Sequence, residues 1–254
     1  MKDLLKGRVL VVEHEPDAGL SMMGDHLDTH VQVVRPYLGE SLPESVGEPA
    51  DYVGLIVLGG SMGAWDDEVA PWLPTTRRLL ADAVHRQVPT LGICLGAQLL
   101  AAACGGVVER GAAGLEVGLA PVTALPVAAG DPFFGPVASA VGLQWQASQY
   151  HNDAVTELPV DAELMVSGDR YRQQGFRVGS AAWGVQYHPE VSIELFAGWV
   201  ANGQRSGELP ADAAHLLEEA RAGSAALSRL AAAHSQAFLA VIQSAARPEA
   251  EASA

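Results

Sequence analysis

The stretch "VPTLGICLGAQLLAAACGG" (residues 88–106) predicts a buried strand, a sharp turn and a helix in immediate succession. Residues 88–93 form a short apolar run typical of a strand. Residues 95–106 have the composition of an apolar helix and end in two glycines, as helices often do. Cys94 lies at the junction, between Gly92 and Gly96.

The spacing G-x-C-x-G around Cys94 matches a nucleophile elbow, in which a strained residue projects from a strand-to-helix turn. The sulfur would project from the carboxyl edge of the sheet, where the positive end of the helix dipole favours a thiolate. The N–H of Leu95 would have no intrahelical acceptor and could donate to an oxyanion. The alternative is a structural cysteine packed in a tight turn. Packing in the core is also our interpretation of Cys104, near the end of an alanine-rich helix.

A second motif, "WGVQYHPE" (residues 183–190), places His188 directly after an apolar strand. In an extended segment, residues i and i+2 project to the same side, so Glu190 could orient the imidazole and stabilise its charged form. A cysteine nucleophile in amide chemistry needs such a base, which also protonates the leaving amine. The alternative is a surface histidine with an unrelated glutamate, and the presence of Cys94 favours catalysis.

A third motif, "VLGGSMGAWDD" (residues 57–67), is a glycine-rich loop after an apolar strand. Gly60 could turn its N–H toward the nucleophile because it has no Cβ that would clash. This N–H would be the second oxyanion donor. The alternative is an ordinary turn between a strand and a helix.

Strand-like apolar runs alternate with helical patterns in the first half of the chain. The strands are predicted at 7–15, 31–37, 52–60 and 88–93, and the helices at 19–30, 71–87 and 95–106. This alternation favours an α/β fold with a parallel sheet covered by helices on both faces. Between residues 117 and 183 the helical periodicity fades, which favours shorter strands in a mixed or antiparallel section.

The remaining segments define the expected organisation of the chain. A helix is predicted at 193–204, and the main domain is expected to cover residues 1–205. Residues 206–246 are rich in Ala, Leu and Glu at helical spacing, which predicts a helical extension packed on that domain. Residues 247–254 have the composition of a disordered tail.

Composition narrows the classes of partner and site. The chain has 254 residues and a formal net charge of −15, so neither nucleic acid nor an anionic membrane is expected as a partner. Two cysteines are too few for a disulfide framework or a four-cysteine metal site; a reduced, cytoplasmic setting and no metal are expected. Lysine is absent after Lys6, so there is no P-loop, and any ATP-dependent step using one belongs to another polypeptide.

In this chain order, the three motifs resemble the class I (triad) glutamine amidotransferases over roughly residues 8–200. "GICLGAQLLA" matches the nucleophile motif G-x-C-x-G-x-Q, "GVQYHPEV" matches G-x-Q-[FY]-H-P-E, and "LGGSMGAWDD" is similar to the oxyanion loop. "HEP" (residues 14–16) resembles stand-alone members similar to the amidotransferase domain of GMP synthetase. The resemblance implies a flavodoxin-like three-layer sandwich with a mostly parallel central sheet and extra C-terminal helices.

The resemblance also implies roles for individual residues. Cys94 would attack the side-chain amide of glutamine, His188 would protonate the departing ammonia and then activate water, and Glu190 would hold His188. The N–H groups of Gly60 and Leu95 would bind the oxyanion. The residues implied to contact the substrate are Gln98, Met62, Tyr150 and His151. The resemblance implies no cofactor.

Three functions remain open from the sequence. The first is a glutaminase that delivers ammonia to a partner synthetase. The second is a free-standing hydrolase or peptidase acting on a γ-glutamyl compound other than glutamine. The third is a non-catalytic binding or regulatory protein of the same fold, and the intact set of Cys94, His188 and Glu190 argues against it. The C-terminal helices could cover an exposed face, form a homodimer or dock a synthetase.

Overall fold

A computed structural model describes residues 7–27, 29–47 and 52–246, so the tail predicted at 247–254 lies outside the described residues. The strands in these ranges are β1 (Val9–Val12), β2 (Val31–Val34), β3 (Gly54–Val57), β4 (Thr90–Ile93), β5 (Val107–Arg110), β6 (Glu116–Ala124), β7 (Gln144–His151), β8 (Asp153–Glu157), β9 (Ala162–Gly168), β10 (Gly175–Val178) and β11 (Ala182–Val185). The helices are α1 (Ser21–Gly24), α2 (Leu73–His85), α3 (Leu95–Ala103), α4 (Phe134–Val141), α5 (Ile193–Ser206), α6 (Ala214–Ala222) and α7 (Ser224–Ala245).

The central sheet has nine strands in the order β2-β1-β3-β4-β11-β10-β9-β6-β7. Neighbouring strands from β2 to β11 run parallel, and those from β11 to β7 run antiparallel. Strands β5 and β8 form a separate antiparallel pair. The α/β class is therefore confirmed, and the antiparallel section falls in the part of the chain where shorter strands were expected.

Helices cover both faces of the sheet and give it three layers. Alternate residues of β1 illustrate this: Val9 and Val11 pack in one apolar cluster, whereas Leu10 and Val12 pack in the other. The first cluster includes residues of α1, α4 and α7, and the second includes residues of α2 and α3. Successive side chains of a strand point to opposite faces, so fully apolar strands are needed at the centre of such a sandwich.

Helix α7 forms part of this core. Leu230, Phe238 and Ile242 are buried in the same cluster as the central strands. By length and composition α7 could also cross a membrane, but half of its most apolar window is buried inside the structure. A core helix satisfies the same criterion. Residues 206–246 thus pack on the domain, with α6 resting on α5 and β6.

Two helices differ from the sequence expectation. The helix predicted over 19–30 is reduced to Ser21–Gly24, because Gly24 is a poor helix former and the following residues form a turn. Helix α4 was missed, since a glycine and a proline at 135–136 interrupt its helical pattern. A contact just ahead of the helix stabilises it: the buried Asp131 carboxylate accepts the N–H groups of Phe133 and Phe134, at 2.9 and 2.8 Å.

Candidate active site

Cys94 lies at the junction of β4 and α3 in a strained backbone conformation, with φ 50° and ψ −107°. Positive φ is uncommon for a residue with a side chain. It costs free energy and persists only where the surrounding structure imposes it. Here the surroundings do so: a Cβ on Gly96 would collide with the carbonyl oxygen of Val57, and one on Gly92 would lie 2.5 Å from the carbonyl oxygen of Gly96. The two glycines therefore allow the strand and the helix to close around Cys94.

His188 and Glu190 lie just beyond the end of β11, the parallel neighbour of β4. The Nδ1 atom of His188 is 2.7 Å from Oε1 of Glu190, and the two residues are only 4% and 2% exposed. The peptide N–H of His188 donates to the carbonyl oxygen of Ser148 at 2.8 Å. The Glu190 carbonyl accepts the N–H of Met22 at 2.9 Å. The pair is thus held by β7 and by the segment at α1.

The side chains of Cys94 and His188 converge beside Gly59. A Cβ placed on Gly59 would lie 3.1 Å from Cε1 of His188 and 3.7 Å from Cβ of Cys94. The other ring nitrogen of His188, Nε2, is buried and has no hydrogen-bond partner among the described residues. The sequence therefore brings together, from positions 94 and 188, a thiol and an imidazole whose second nitrogen is available.

The environment of His188 favours the protonated imidazole. Burial by itself would lower its pKa, but the charges of Glu190 and Cys94 and the hydrogen bond to Glu190 raise it to about 10. His188 therefore carries a proton at neutral pH. Such an imidazolium can donate to a leaving nitrogen.

The structure adds a polar contact to the nucleophile that the sequence did not reveal. Nε2 of Gln186 donates to Sγ of Cys94 at 3.5 Å. Nε2 of Gln98 in turn donates to Oε1 of Gln186 at 3.1 Å and to the carbonyl oxygen of Asp153 at 2.9 Å. Gln98 was expected to contact the substrate, but its amide N–H groups are directed to protein acceptors. The signal for Gln186 was its place in the G-x-Q-[FY]-H-P-E block.

Gly60 and Leu95 lie side by side at the base of the site. A Cβ on Gly60 would lie 3.0 Å from Cδ2 of Leu95 and 3.1 Å from Cβ of His14, so only glycine fits there without displacement. Leu95 is the first residue of α3, and its N–H has no preceding turn to bond. His14 is fully buried beneath the loop, where its Nδ1 accepts the indole N–H of Trp72 at 2.9 Å. Burial lowers the pKa of His14 to about 4, so it is a neutral support for the loop.

The site opens into a cavity of about 690 Å³. Of the nine residues predicted for the site, seven line this cavity: Gly60, Met62, Cys94, Gln98, Tyr150, His151 and His188. The other two, Leu95 and Glu190, are buried beside Cys94 and His188. The cavity thus collects, at one end of the sheet, residues that are far apart in the chain.

Tyr150 and His151 form walls of the cavity with their polar atoms engaged by the protein. Tyr150 donates its hydroxyl to Glu208 at 2.9 Å, and burial together with that carboxylate raises the pKa of Tyr150. Nδ1 of His151 is 2.9 Å from the carbonyl oxygen of Asp153, and its Nε2 is 3.0 Å from the Glu116 carboxylate. Their side chains therefore shape the cavity before any substrate enters.

Helix α5 and the connection that follows it close the remaining side. The Trp199 ring packs against the His188 ring, with centroids 4.7 Å apart. The Trp199 indole N–H donates to the carbonyl oxygen of Asp17 at 2.8 Å. Glu208, which follows α5, accepts the side-chain N–H of Asn152 at 2.8 Å. Sequence reasoning assigned Trp199 only to a helix and Glu208 only to an extension, since both reach the site through tertiary packing.

The side chains that commonly ligate metals are dispersed over the described residues, which are 7–27, 29–47 and 52–246. Within those ranges no group of three or more His, Cys, Asp and Glu side chains is arranged to hold a metal ion. Cys104, the other cysteine, is half-buried, and burial raises its pKa to about 11. Of the two thiols, that of Cys94 is the one that lines the cavity.

Comparison with known proteins gives matches in sequence and in fold. The family model for glutamine amidotransferase class-I matches residues 20–202. The crystal structure of a glutamine amidotransferase from Thermotoga maritima is 28% identical, covers 92% of this chain and 99% of that chain, and superposes with a TM-score of 0.77.

Two curated proteins are similar over shorter alignments. Gamma-glutamyl peptidase 5 from Arabidopsis thaliana is 30% identical over 57% of this chain and 56% of the relative. One of the subunits of the glutamine-hydrolyzing GMP synthase from Saccharolobus solfataricus is 37% identical over 43% of this chain and 57% of the relative. The chain thus spans little more than half the length of these curated relatives.

Proposed function

Because the chain belongs to the class I glutamine amidotransferase family, we propose that it hydrolyses a γ-glutamyl amide through a thioester on Cys94. The observation that carries this proposal is the convergence of Cys94 and His188 beside Gly59, at the end of two parallel strands. Glutamine is the simplest γ-glutamyl amide. The same two steps act on any amide of the γ-carboxyl group.

In the first step, the Cys94 sulfur attacks the amide carbon, and the C=O double bond becomes a C–O⁻ single bond. The N–H groups of Gly60 and Leu95 stabilise this oxyanion. His188 donates its proton to the amide nitrogen, the C–N bond breaks, and ammonia or an amine leaves. The product on the enzyme is a glutamyl thioester.

In the second step, His188 is neutral and removes a proton from a water molecule. The hydroxide adds to the thioester carbon, the C–S bond breaks, and glutamate leaves with Cys94 restored. Glu190 stabilises the imidazolium that this step regenerates, 2.7 Å from its own carboxylate. Gln186 keeps a hydrogen bond on the sulfur when the sulfur is the leaving group.

The destination of the leaving group separates two candidate roles. Delivery of ammonia to a synthetase is supported by the similarity to a protein named as one of the GMP synthase subunits. Hydrolysis as a free-standing enzyme is supported by the similarity to a γ-glutamyl peptidase. The cavity favours the second role, because 690 Å³ lies in the range that holds ligands considerably larger than a single amino acid.

The test is to incubate the purified chain with glutamine and with γ-glutamyl dipeptides, and to measure release of ammonia and amino acid. We expect turnover without any partner, faster with the dipeptides, and a loss of at least about 10³-fold in Cys94→Ala. Cys104→Ala is the matched control and should keep wild-type turnover. Turnover of glutamine alone that rises on adding a synthetase would instead support ammonia delivery.

A covalent probe distinguishes an enzyme from a non-catalytic protein of the same fold. Diazo-oxo-norleucine mimics glutamine and alkylates an activated nucleophile. We expect one adduct, located on Cys94 by peptide mass spectrometry, in both wild type and Cys104→Ala. Equal labelling of the two cysteines, or turnover that survives Cys94→Ala, would contradict the proposed function.

A further inference from the structure

The cavity beside Cys94 is strongly acidic. Among the described residues its lining carboxylates are Glu15, Asp17, Asp66, Glu109, Asp153 and Glu208, and its positively charged lining side chains are Arg110 and the protonated His188. In the part of the chain that the structure describes, none of these six carboxylates forms an ion pair. A concave surface lined with one sign of charge concentrates ligands of the opposite sign.

Two of these carboxylates can attract the α-ammonium group that γ-glutamyl compounds carry beside their α-carboxylate. Asp66 and Asp153 converge beside Gly63, because a Cβ on Gly63 would lie 3.1 Å from Oδ2 of Asp153 and 3.2 Å from Oδ2 of Asp66, and Asp66 Oδ2 also accepts the Gly63 N–H at 2.7 Å. An α-ammonium group in the cavity near them would relieve their repulsion. Four acidic side chains then remain without a counter-charge from the glutamyl half of the substrate.

The position of His188 indicates which residues lie near the leaving group. His188 lines the cavity, and its Nε2 atom, which lacks a hydrogen-bond partner within the described ranges, has to reach the leaving nitrogen. The leaving group therefore lies near His188. The Trp199 ring packs against the His188 ring, and the main chain of Asp17 accepts the Trp199 indole N–H.

The side chains at that position suit a cation. The Asp17 carboxylate is directed toward α5, where Oδ2 accepts the Asn202 side-chain N–H at 3.3 Å. Glu15 lies close by and accepts the hydroxyl of Ser61, next to Gly60, at 2.7 Å. The indole of Trp199 offers an aromatic surface, which attracts ammonium groups. An anionic leaving group would meet the carboxylates of Asp17 and Glu15 here.

We propose that the leaving group is an amine with a second, positively charged amino group, held by Asp17, Glu15 and Trp199. The substrate class is then a mono-γ-glutamyl amide of a diamine or polyamine. Water and the amide react to give glutamate and the free diamine, with the proton on the departing nitrogen supplied by His188. This inference rests on the proposed function, since it names the substrate of that same site.

Three synthetic amides with carbon chains of similar length test the charge alone: γ-glutamyl-diaminobutane, γ-glutamyl-butylamine and γ-glutamyl-aminobutyrate. They end in an ammonium, a methyl and a carboxylate group. We expect kcat/KM to be about tenfold higher for the ammonium than for the methyl compound, and lowest for the carboxylate. The preference for the ammonium compound should weaken as salt is raised, because salt screens the carboxylates.

Asp17→Asn should lower the ratio of kcat/KM for the ammonium compound over the methyl compound by about two- to fivefold. A ratio cancels any general loss of folded or active protein. Glu15→Gln is a second variant with the same expected direction. Asp169→Asn is the matched control, because Asp169 is exposed and lies outside the cavity lining, and it should keep the wild-type ratio.

The two proposals fail in different ways. Equal rates for the three amides, a preference for the carboxylate, or an unchanged ratio in both Asp17→Asn and Glu15→Gln would overturn the cationic leaving group and leave amide hydrolysis standing. If the chain hydrolyses neither glutamine nor any of the three amides, and Cys94 is not labelled by diazo-oxo-norleucine, the proposed function itself is wrong.

Discussion

Replacing Glu190 with glutamine would remove the charge that keeps His188 protonated while preserving a hydrogen-bond acceptor for Nδ1. The two groups are in contact at 2.7 Å and are buried, so the effect of the charge should be large. Unit charges about 4 Å apart interact by about 4 kcal/mol at the effective dielectric typical of proteins. At about 1.4 kcal/mol for each pKa unit, the loss amounts to about three units.

The sign of the pH effect follows from the role of His188 as proton donor to the leaving nitrogen. In the wild type the pKa of His188 is about 10, so activity should fall only as the pH rises through that value. In Glu190→Gln the same fall should occur near pH 7, because burial then lowers the pKa with less opposition. The variant should keep more activity below pH 7 than above it.

The assay is the pH dependence of kcat/KM for release of ammonia from glutamine, which reports the pKa values of the free enzyme. The matched control is Glu116→Gln, because Glu116 forms the other buried contact between a carboxylate and a histidine, at 3.0 Å from His151. Whatever its effect on the rate, it should leave the alkaline limb in place. An alkaline limb at the wild-type pH in Glu190→Gln would refute the assignment of Glu190.

The remaining predictions concern the turn at Cys94, the buried contact between Tyr187 and His234, and the hydrogen bond from Gln186 to the Cys94 sulfur. Gly96→Ala should destabilise or abolish folding because its Cβ has no space, whereas Gly198→Ala, which meets nothing within 4 Å in helix α5, should raise stability to denaturant by about 0.5–1 kcal/mol. Tyr187→Phe removes a buried hydroxyl 2.9 Å from Nε2 of His234 and should cost about 1–3 kcal/mol in urea unfolding. Gln186→Met should slow alkylation of the nucleophile by iodoacetamide about tenfold at neutral pH, and an unchanged rate would show that this hydrogen bond is unimportant.

Local pattern was sufficient for the centre of the site. Glycines on both sides of Cys94 predicted the strained turn, and the i, i+2 spacing of His188 and Glu190 predicted their contact. Both features depend on residues adjacent in sequence. The meeting of positions 94 and 188 was implied by the family resemblance and did not follow from the predicted sheet, because the strand before His188 was expected in a mixed or antiparallel section, whereas β11 runs parallel to β4.

The rest of the cavity depends on contacts that no local pattern encodes. Trp199, in α5, and Glu208, just after that helix, line the cavity through tertiary packing. Gln98 lines the cavity, and its amide N–H groups are taken up by Gln186 and the main chain of Asp153. Side-chain hydrogen bonds between distant segments decide these orientations, and hydrophobic periodicity carries no information about them.

The helices and strands also differ in how far local sequence patterns predicted them. Long apolar segments such as 71–87 and 88–93 were predicted with bounds close to those of α2 and β4. Helix α4 was missed because a glycine and a proline interrupt its pattern, although the buried Asp131 stabilises its N-terminus and also contacts Trp183 and Arg177 from distant strands. The helix predicted at 19–30 is short in the structure. Helix α7, from the end of the chain, packs against α1 and covers that face of the sheet.

The most direct measurement is to look for the glutamyl thioester itself. Wild type and His188→Asn would be mixed with glutamine, quenched in acid within milliseconds to seconds, and examined as intact protein and as peptides by mass spectrometry. We predict a glutamyl adduct on Cys94 that is transient in the wild type and, wherever it forms in His188→Asn, persists because water is no longer activated. Turnover of glutamine with no adduct, or with an adduct on Cys104, would contradict covalent catalysis at the elbow.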